Sequence, residues 1–529
     1  MGKKRVVNYI NGRLSGQYLT EEVCNKLESL RRLDDQKGFV KDLKDIIYEL
    51  NPSDIDLIKA SGSNELIDFN DKKGELSNLQ TIGVAYMFFA KRLILGDSVG
   101  IGKTVEVCGL FNLLERIFMK EGKEFRFLFL TGKNLVSQAR DEIIKFTGNP
   151  VQTVYGEKPK VKKFIDDNYL ELNSSVVGTH SLIKSLDFQE YMRAFKSDTG
   201  SNPFDILVID ESGDVLINTT TQTYKDARYL ESMFDRVILL NATSFESNLK
   251  AFYNQLAFVD DSFLPTKEAF SKEYEIMDYR GPYPVPSGKY RNAEKFKQLV
   301  GYRYFARTRK GSGATMKNCT AKARVVPLSQ DQRWLLSKTS MPQMVYDCPS
   351  YFNMGIESNI ETTPKLAEVL NILKEDFKDA KSVLIYCRYK ESQKCIQDTL
   401  LEHGYYSEIL NGESPQKVRE DVITKFKLGD INILITNVQK GLNFGNCNHC
   451  IFYTYDPNPN RMVQFEGRIT RSFDIENKHV RVLLSRGNEL KTFKNAIADK
   501  AKASDMFAGS DFSCVMSILL DDEVLKELK

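Results

Sequence analysis

Neither sign of charge dominates this chain of 529 residues: 74 lysines and arginines face 71 aspartates and glutamates, a formal charge of +3. A global positive field that would hold nucleic acid anywhere on the surface is excluded, and any such contact has to come from a local groove. The nine cysteines show no disulfide-scaffold rhythm, and no apolar h-region follows the basic start Met1-Gly-Lys-Lys-Arg5. An intracellular protein, cytoplasmic or nucleoid-associated, is therefore expected. Apolar runs such as Phe125 to Leu130 are too short to span a bilayer, and Val6 stands where a myristoylation signal wants Ser or Thr, so no membrane anchor is expected. A metal framework is missing too. Cys447-Asn-His-Cys450 has ligand-like spacing, but no second CxxC completes a set of four and the pair abuts the strand-like Ile451 to Tyr455; core thiols and no zinc are expected. What remains, 42% hydrophobic and 27% charged, suits a globular protein of two or more domains.

Three motifs carry chemistry. In Leu93-Ile-Leu-Gly-Asp-Ser-Val-Gly-Ile-Gly-Lys-Thr104 a buried strand runs into a glycine turn that ends on Lys-Thr at a helix start. Small residues such as Gly100 and Gly102 let backbone N–H groups converge on an anionic oxygen. Lys103 adds a point charge for β/γ-phosphates and Thr104 a hydroxyl for Mg²⁺, while the following helix points its positive end at the same place. Asp97 stands where the strict GxxxxGK[ST] pattern wants glycine, so alone the segment also reads as an ordinary glycine turn. Phe204-Asp-Ile-Leu-Val-Ile-Asp-Glu-Ser-Gly213 reads as a strand buried on both faces that delivers two carboxylates at its C-terminal end, where ligands sit in open α/β sheets. Asp210 suits the Mg²⁺ hydration shell and Glu211 the attacking water; the alternative is an acidic turn after a core strand. Far downstream, in Gln464-Phe-Glu-Gly-Arg-Ile-Thr-Arg471, Arg468 and Arg471 are spaced to share a helix face and reach a γ-phosphate, unless the pair is simply a solvated basic face.

Residues 1–73 read as charged helices and turns without a catalytic signature, an accessory region. From 74 to 320 apolar strands alternate with amphipathic helices: Leu93–Leu95, Phe125–Leu130, Val176–Gly178, Ile206–Ile209 and Val237–Leu240 are the expected strands, with a helical insertion from about 250. Residues 321–360 read as a linker. A second α/β run over 361–495 has expected strands Val383–Tyr386, Ser407–Leu410, Ile431–Ile435, Cys450–Tyr453 and Val480–Leu484, and 496–529 is a C-terminal extension. The fold class is α/β: two doubly wound parallel-sheet lobes of nucleotide-binding type.

These blocks, in this order over about residues 74 to 495, resemble a helicase superfamily two ATPase of RecA-like lobes, with several stretches similar to its Swi/Snf-like group of double-stranded DNA translocases. Leu79-Gln-Thr-Ile-Gly-Val-Ala-Tyr86 resembles the block whose glutamine reads adenine, which places Gln80 there. Asp97 to Thr104 resembles DEMGLGKT, Asn241 to Leu249 resembles TGTPxxNNL, and Gly441-Leu-Asn-Phe444 with Tyr455-Asp-Pro-Asn-Pro459 resembles the later blocks. The resemblance implies ATP and Mg²⁺ as cofactors, duplex DNA as partner, and Gln464 beside the arginines at the nucleotide. It also implies nucleic-acid contacts at Thr131, Lys133, Thr179, Arg388, Asn411 and Thr436, where short polar side chains at strand ends suit phosphate. A protein partner is expected through residues 1–70 or the C-terminal extension.

The sequence departs from the group at Gly213, where the family often has the histidine of its DExH box, at Gly467, and at Ser98; a divergent member is implied. Three rival functions remain open: a strand-separating or branch-migrating helicase, an RNA-dependent helicase, and a nucleic-acid-binding module with a decayed ATPase.

Overall fold

The structure, a computed structural model, describes residues 21–35, 68–69, 72–73, 76, 78–97, 101–169, 171–216, 218–241, 249–278, 284–307, 319–438, 447–456, 462, 465 and 478–495. The described residues divide into two compact units, one up to Arg307 and the other from Cys319 onward.

The first unit is built on a seven-stranded sheet. Numbering the strands of the two large sheets along the chain, these are β1 (Arg92–Leu95), β2 (Phe127–Thr131), β3 (Val151–Val154), β4 (Ser175–Thr179), β5 (Ile206–Asp210), β6 (Arg236–Leu240) and β7 (Tyr304–Phe305). Their order is 7-1-6-5-2-4-3 and every pairing is parallel. Parallel strands need crossovers, which the intervening helices supply. Helices on both faces explain why β1, β2 and β5 are near-continuous runs of Leu, Ile, Val and Phe, with β1 and β2 buried throughout. The five strands expected for this lobe are present. The short β3 and β7 were not expected, because four residues of which three are half-buried, and two residues, carry little periodicity.

The helix Glu21–Asp35, expected within an accessory region, contributes Cys24, Leu27 and Leu30 to this same core. Past β6 the expected helical insertion contains the helices Leu249–Val259, Lys267–Tyr274 and Ala293–Val300, and also an antiparallel hairpin, Glu275–Asp278 with Val285–Tyr290.

The second unit holds a six-stranded parallel sheet of β8 (Cys319–Val326), β9 (Val383–Tyr386), β10 (Ser407–Leu410), β11 (Ile433–Thr436), β12 (His449–Phe452) and β13 (Lys478–Ser485), in order 8-13-12-9-11-10. The stretch 321–360, expected as a linker, opens with most of β8, which pairs with β13 along its whole length from Cys319↔Lys478 to Val326↔Ser485. Its alternating Thr-Ala-Lys-Ala-Arg-Val pattern is that of an edge strand with one wet face. The helices Gln330–Leu336, closed by a Ser329/Gln332 capping box, and Pro342–Asp347 follow. The two parallel sheets bear out the two-lobed doubly wound α/β expectation. Among the described residues no helix is long and apolar enough to cross a membrane.

Candidate nucleotide site of the first unit

In the first unit the carboxyl ends of β1, β5, β6, β2 and β4 deliver Asp97, Asp210, Asn241, Thr131 and Thr179 to one edge of the sheet, the edge where parallel α/β sheets bind ligands. β1 leaves the core at Gly96, and helix Lys103–Lys120 begins after Gly102, whose φ of +109° is a left-handed conformation that a side chain would strain. A side chain there would also collide, since a Cβ on Gly102 would lie 2.8 Å from Gln80 Nε2. Gln80, 2% exposed in helix Asn78–Ala90, therefore rests on the start of the loop's helix. Lys103 is the first helical residue and its Nζ donates to the Asp97 carbonyl at 2.6 Å, closing the loop on itself. Thr104 follows in the first turn, half-buried. Gly100 lies outside the described residues.

Asp210 ends β5. Its Oδ2 accepts from the Thr131 hydroxyl at 3.0 Å and its carbonyl accepts from His180 Nε2 at 2.8 Å, which requires a proton on Nε2. His180 is thereby a structural partner of the strand end. Glu211 sits at φ 48°, ψ 47°, a left-handed conformation unusual for a residue with a Cβ. That turn redirects the chain within one residue, so two successive carboxylates leave the strand in different directions. Behind them Ser212 Oγ and Asn241 Nδ2 both donate to Gln255 Oε1, at 3.0 and 2.9 Å, tying the carboxylate turn to the end of β6 and to helix Leu249–Val259. Gly213 has no room for a side chain: a Cβ would lie 2.8 Å from the Asn241 amide nitrogen. Where the family often carries histidine, this chain fills the space from the opposite side with asparagine.

Sequence reasoning missed Arg307. Its backbone N–H donates to Asp97 Oδ1 at 2.8 Å, its Nε to Asp97 Oδ2 at 3.0 Å, and its Nη2 pairs with both Asp97 and Glu106. Asp97, the residue that spoiled the strict loop pattern, is fully buried as the acceptor of that guanidinium. Glu106 is buried with it, and burial first, then the nearby Asp97 charge, pushes its carboxyl well above the usual range against the opposing pull of Arg307.

The six residues expected to touch nucleic acid divide by burial. Thr131 and Thr436 have no exposed surface and Thr179 has 3%. The Thr131 hydroxyl is spent on Asp210, Thr179 Oγ1 accepts from Gly156 N–H at 3.0 Å, and Thr436 Oγ1 accepts from Val438 N–H at 3.0 Å. In this structure the three side chains brace their strand ends from inside. Lys133 is exposed and pairs with Glu157 at 2.9 Å. In the second unit Arg388 is half-buried over the Tyr389 ring, and Asn411 forms a turn in which its side chain accepts from Glu413 N–H at 3.1 Å. Gln464, Arg468 and Arg471 lie outside the described residues, as does all but Asn241 and Leu249 of the TGTPxxNNL-like block. Cys447 and Cys450 are buried core thiols, the first just before β12 and the second within it.

Comparison with known families decides which of the resemblances holds. The SNF2-related domain matches residues 79–382, more than half of the chain, and the helicase conserved C-terminal domain matches residues 364–473. The chain belongs to the SNF2-related family. It is 22% identical over 477 residues to the DNA repair and recombination protein RAD54B of Mus musculus, a match covering 77% of this chain and 52% of that protein. It is 23% identical over 425 residues to the uncharacterized ATP-dependent helicase YqhH of Bacillus subtilis (strain 168), covering 74% and 71%. The chain thus spans about half the length of its RAD54B relative. Among solved structures, the Sulfolobus solfataricus SWI2/SNF2 ATPase core in complex with dsDNA aligns over 87% of this chain and 97% of its own, at 17% identity and a TM-score of 0.38. The divergent SNF2-like membership expected from the motifs is therefore established, and with it helicase-like ATPase ancestry.

Proposed function

We propose that this SNF2-related chain is a DNA-dependent ATP hydrolase that translocates along or remodels duplex DNA. The observation that carries the reading is the meeting, at one sheet edge, of the Gly102–Lys103–Thr104 helix start with the Asp210–Glu211 turn, beside the buried Gln80. Lys103 holds the β/γ-phosphates and the first-turn N–H groups hold the same anion. Thr104 and Asp210 hold Mg²⁺, whose chemistry when bound is to neutralise charge developing on the phosphate oxygens. The residues fit such an ion: the Thr131 hydroxyl donates to one Asp210 oxygen and so orients the carboxylate that would face it. Glu211, turned away from Asp210 by its left-handed backbone, orients the attacking water. Gln80 reads the adenine, and Gln464, Arg468 and Arg471 complete the site. Lys133, Arg388 and Asn411 track the DNA backbone.

Steady-state ATPase activity of the full chain, alone and with duplex, single-stranded or forked DNA or RNA, tests this beside Lys103→Ala. Strong stimulation by plain duplex is expected. Stimulation mainly by forks, single strands or RNA favours the helicase alternatives, and duplex binding without hydrolysis above the Lys103→Ala background favours a decayed motor. Glu211→Gln is expected to trap bound ATP, and Arg468→Ala to lower turnover much more than nucleotide binding.

A further inference from the structure

We propose that Arg307 is a positioning residue of the ATP site, fixing the phosphate loop from just past β7, 210 residues downstream of Asp97. The proposal rests on the reading of that loop as the ATP site.

The loop has two ends that must be held at a fixed separation if its N–H groups are to converge on phosphate: Asp97 where β1 stops, and the first turn of helix Lys103–Lys120. One guanidinium grips both. It takes Asp97 through Nε and Nη2 and reaches Glu106 with the same Nη2, while the Arg307 backbone N–H holds the other Asp97 oxygen. The Asp97 carbonyl meanwhile accepts from Lys103, so the phosphate-binding lysine is referenced to the residue Arg307 immobilises. A third piece joins through Glu106. Its Oε2 packs directly where a side chain on Gly83 would stand, in the helix that carries Gln80. The Arg307 cluster thereby ties the lysine, the helix start and the adenine-reading helix into one rigid body.

The geometry is specific to arginine. Two carboxylates approached by three planar N–H bonds suit a guanidinium fork, and an ammonium offers one point charge in place of it. The side chains of Arg307, Asp97 and Glu106 are 2%, 0% and 0% exposed, so no water substitutes for a lost bond.

An internal control sits on the same strand segment. Arg303 is also fully buried, bonds Asp260 at 2.7 and 2.9 Å and the carbonyls of Ala90 and Arg92 at 2.8 and 3.1 Å, and lies at the opposite end of β1, away from the loop. Arg303→Lys and Arg307→Lys therefore damage comparable packing, but only Arg307→Lys loosens the phosphate loop.

The test compares parent, Arg307→Lys, Arg303→Lys and Lys103→Ala for ATPase kcat and KM, for binding of a fluorescent ATP analogue, and for thermal unfolding. Arg307→Lys is expected to weaken nucleotide binding and raise KM by about tenfold or more, with kcat at saturation within about threefold. Arg303→Lys should lower the unfolding temperature but leave KM within about twofold. Gly83→Ala, which presses on Glu106 from the far side and leaves every charge in place, should raise KM in the same direction, and serves if Arg307→Lys does not fold. An unchanged KM in Arg307→Lys, or equal changes in the two arginine variants, overturns the inference while leaving the ATP-site reading intact. A parent with no activity above Lys103→Ala brings down both.

Discussion

Gly213 and Asn241 form a packed pair whose interaction can be measured. Gly213 is buried in the turn after Glu211 and does not have a positive φ, so alanine meets no backbone strain there and the cost is steric. The added Cβ would come within 2.8 Å of Asn241 Nδ2, and Asn241 is only 1% exposed, so its amide has to leave Gln255. Gln255 Oε1 keeps its bond from Ser212, which limits the loss to the asparagine side. A displaced buried amide forfeits a hydrogen bond of about 1 kcal/mol, and overpacking adds about 1–3 kcal/mol, so Gly213→Ala should destabilise the first unit by about 2–4 kcal/mol. Asn241→Ser removes the obstruction at the cost of its own hydrogen bond, about 1 kcal/mol, and the double variant should recover at least about 1 kcal/mol relative to the sum. The assay uses the chain's single tryptophan, Trp334, which lies in the second unit. Urea unfolding followed by tryptophan fluorescence should be unchanged, while the far-UV ellipticity shows part of its transition moving to lower urea. A double-mutant cycle additive within about 0.5 kcal/mol would refute the packing argument. Gly213→His, which restores the residue the family often has, should be worse than Gly213→Ala unless Asn241 is shortened with it.

Lys365 is fully buried between Asp347 and Glu489, 2.8 Å from each, so Lys365→Met leaves two carboxylates facing each other without a cation and should cost the second unit about 3–5 kcal/mol; an unmoved Trp334 urea midpoint would be incompatible with that cluster. In the same cluster burial raises Asp347 from its ordinary 3.8 to about 6 despite the lysine. A raised carboxyl contributes stability that is fully present below pH 4 and drains away as pH climbs through about 6, so Asp347→Asn should flatten the fall in the Trp334 midpoint across that window, and an equally steep fall in the variant would count against it. Thr131→Val deletes the hydroxyl that orients Asp210, and should raise the Mg²⁺ concentration for half-maximal ATPase about fivefold, the equivalent of one hydrogen bond, with little change in unfolding.

The strands with continuous apolar runs were legible from sequence because burial on both faces leaves a pattern in neighbouring residues: Leu93–Leu95, Ile206–Ile209 and Val383–Tyr386 are all where that pattern puts them. β7 and β8 were not. Two residues have no period, and β8 has the alternation of a strand with one wet face, which also suits a linker. The same limit acts on the site. Lys103, Asp210 and Glu211 announce themselves through local spacing. A strand-end threonine looks the same in sequence whether its hydroxyl faces a phosphate or, as at Thr131, a neighbouring carboxylate. Arg307 had no local signal at all, its partners being 210 and 201 residues away. The one available hint was Asp97, an acid at the mouth of a loop meant for anions, which required a buried cation from elsewhere.

That cation arrives where the sheet is weakest. β7 is a two-residue edge strand, and its ladder to β1, from Ile94 N–H to the Arg303 carbonyl and from Gly96 N–H to the Phe305 carbonyl, is too short to hold an edge alone. Side chains supply the rest. Phe305 stacks on Tyr86 with ring centroids 4.4 Å apart, Arg31 from helix Glu21–Asp35 donates to the Tyr304 carbonyl at 2.9 Å, and Arg303 and Arg307 pin the two ends of the strand to buried acids. A strand anchored by side chains more than by backbone can be released by changing few contacts, and here the same contacts hold the phosphate loop. Displacing Asp97 therefore has to displace Arg307 and the end of β7, and by reciprocity a shift of that strand end acts equally on Asp97. Nucleotide should accordingly slow amide exchange at Phe305 and Ala306 as well as at the loop, and Arg307→Lys should abolish the slowing at Phe305 and Ala306 before it abolishes binding. Protection confined to the loop in the parent would break this link.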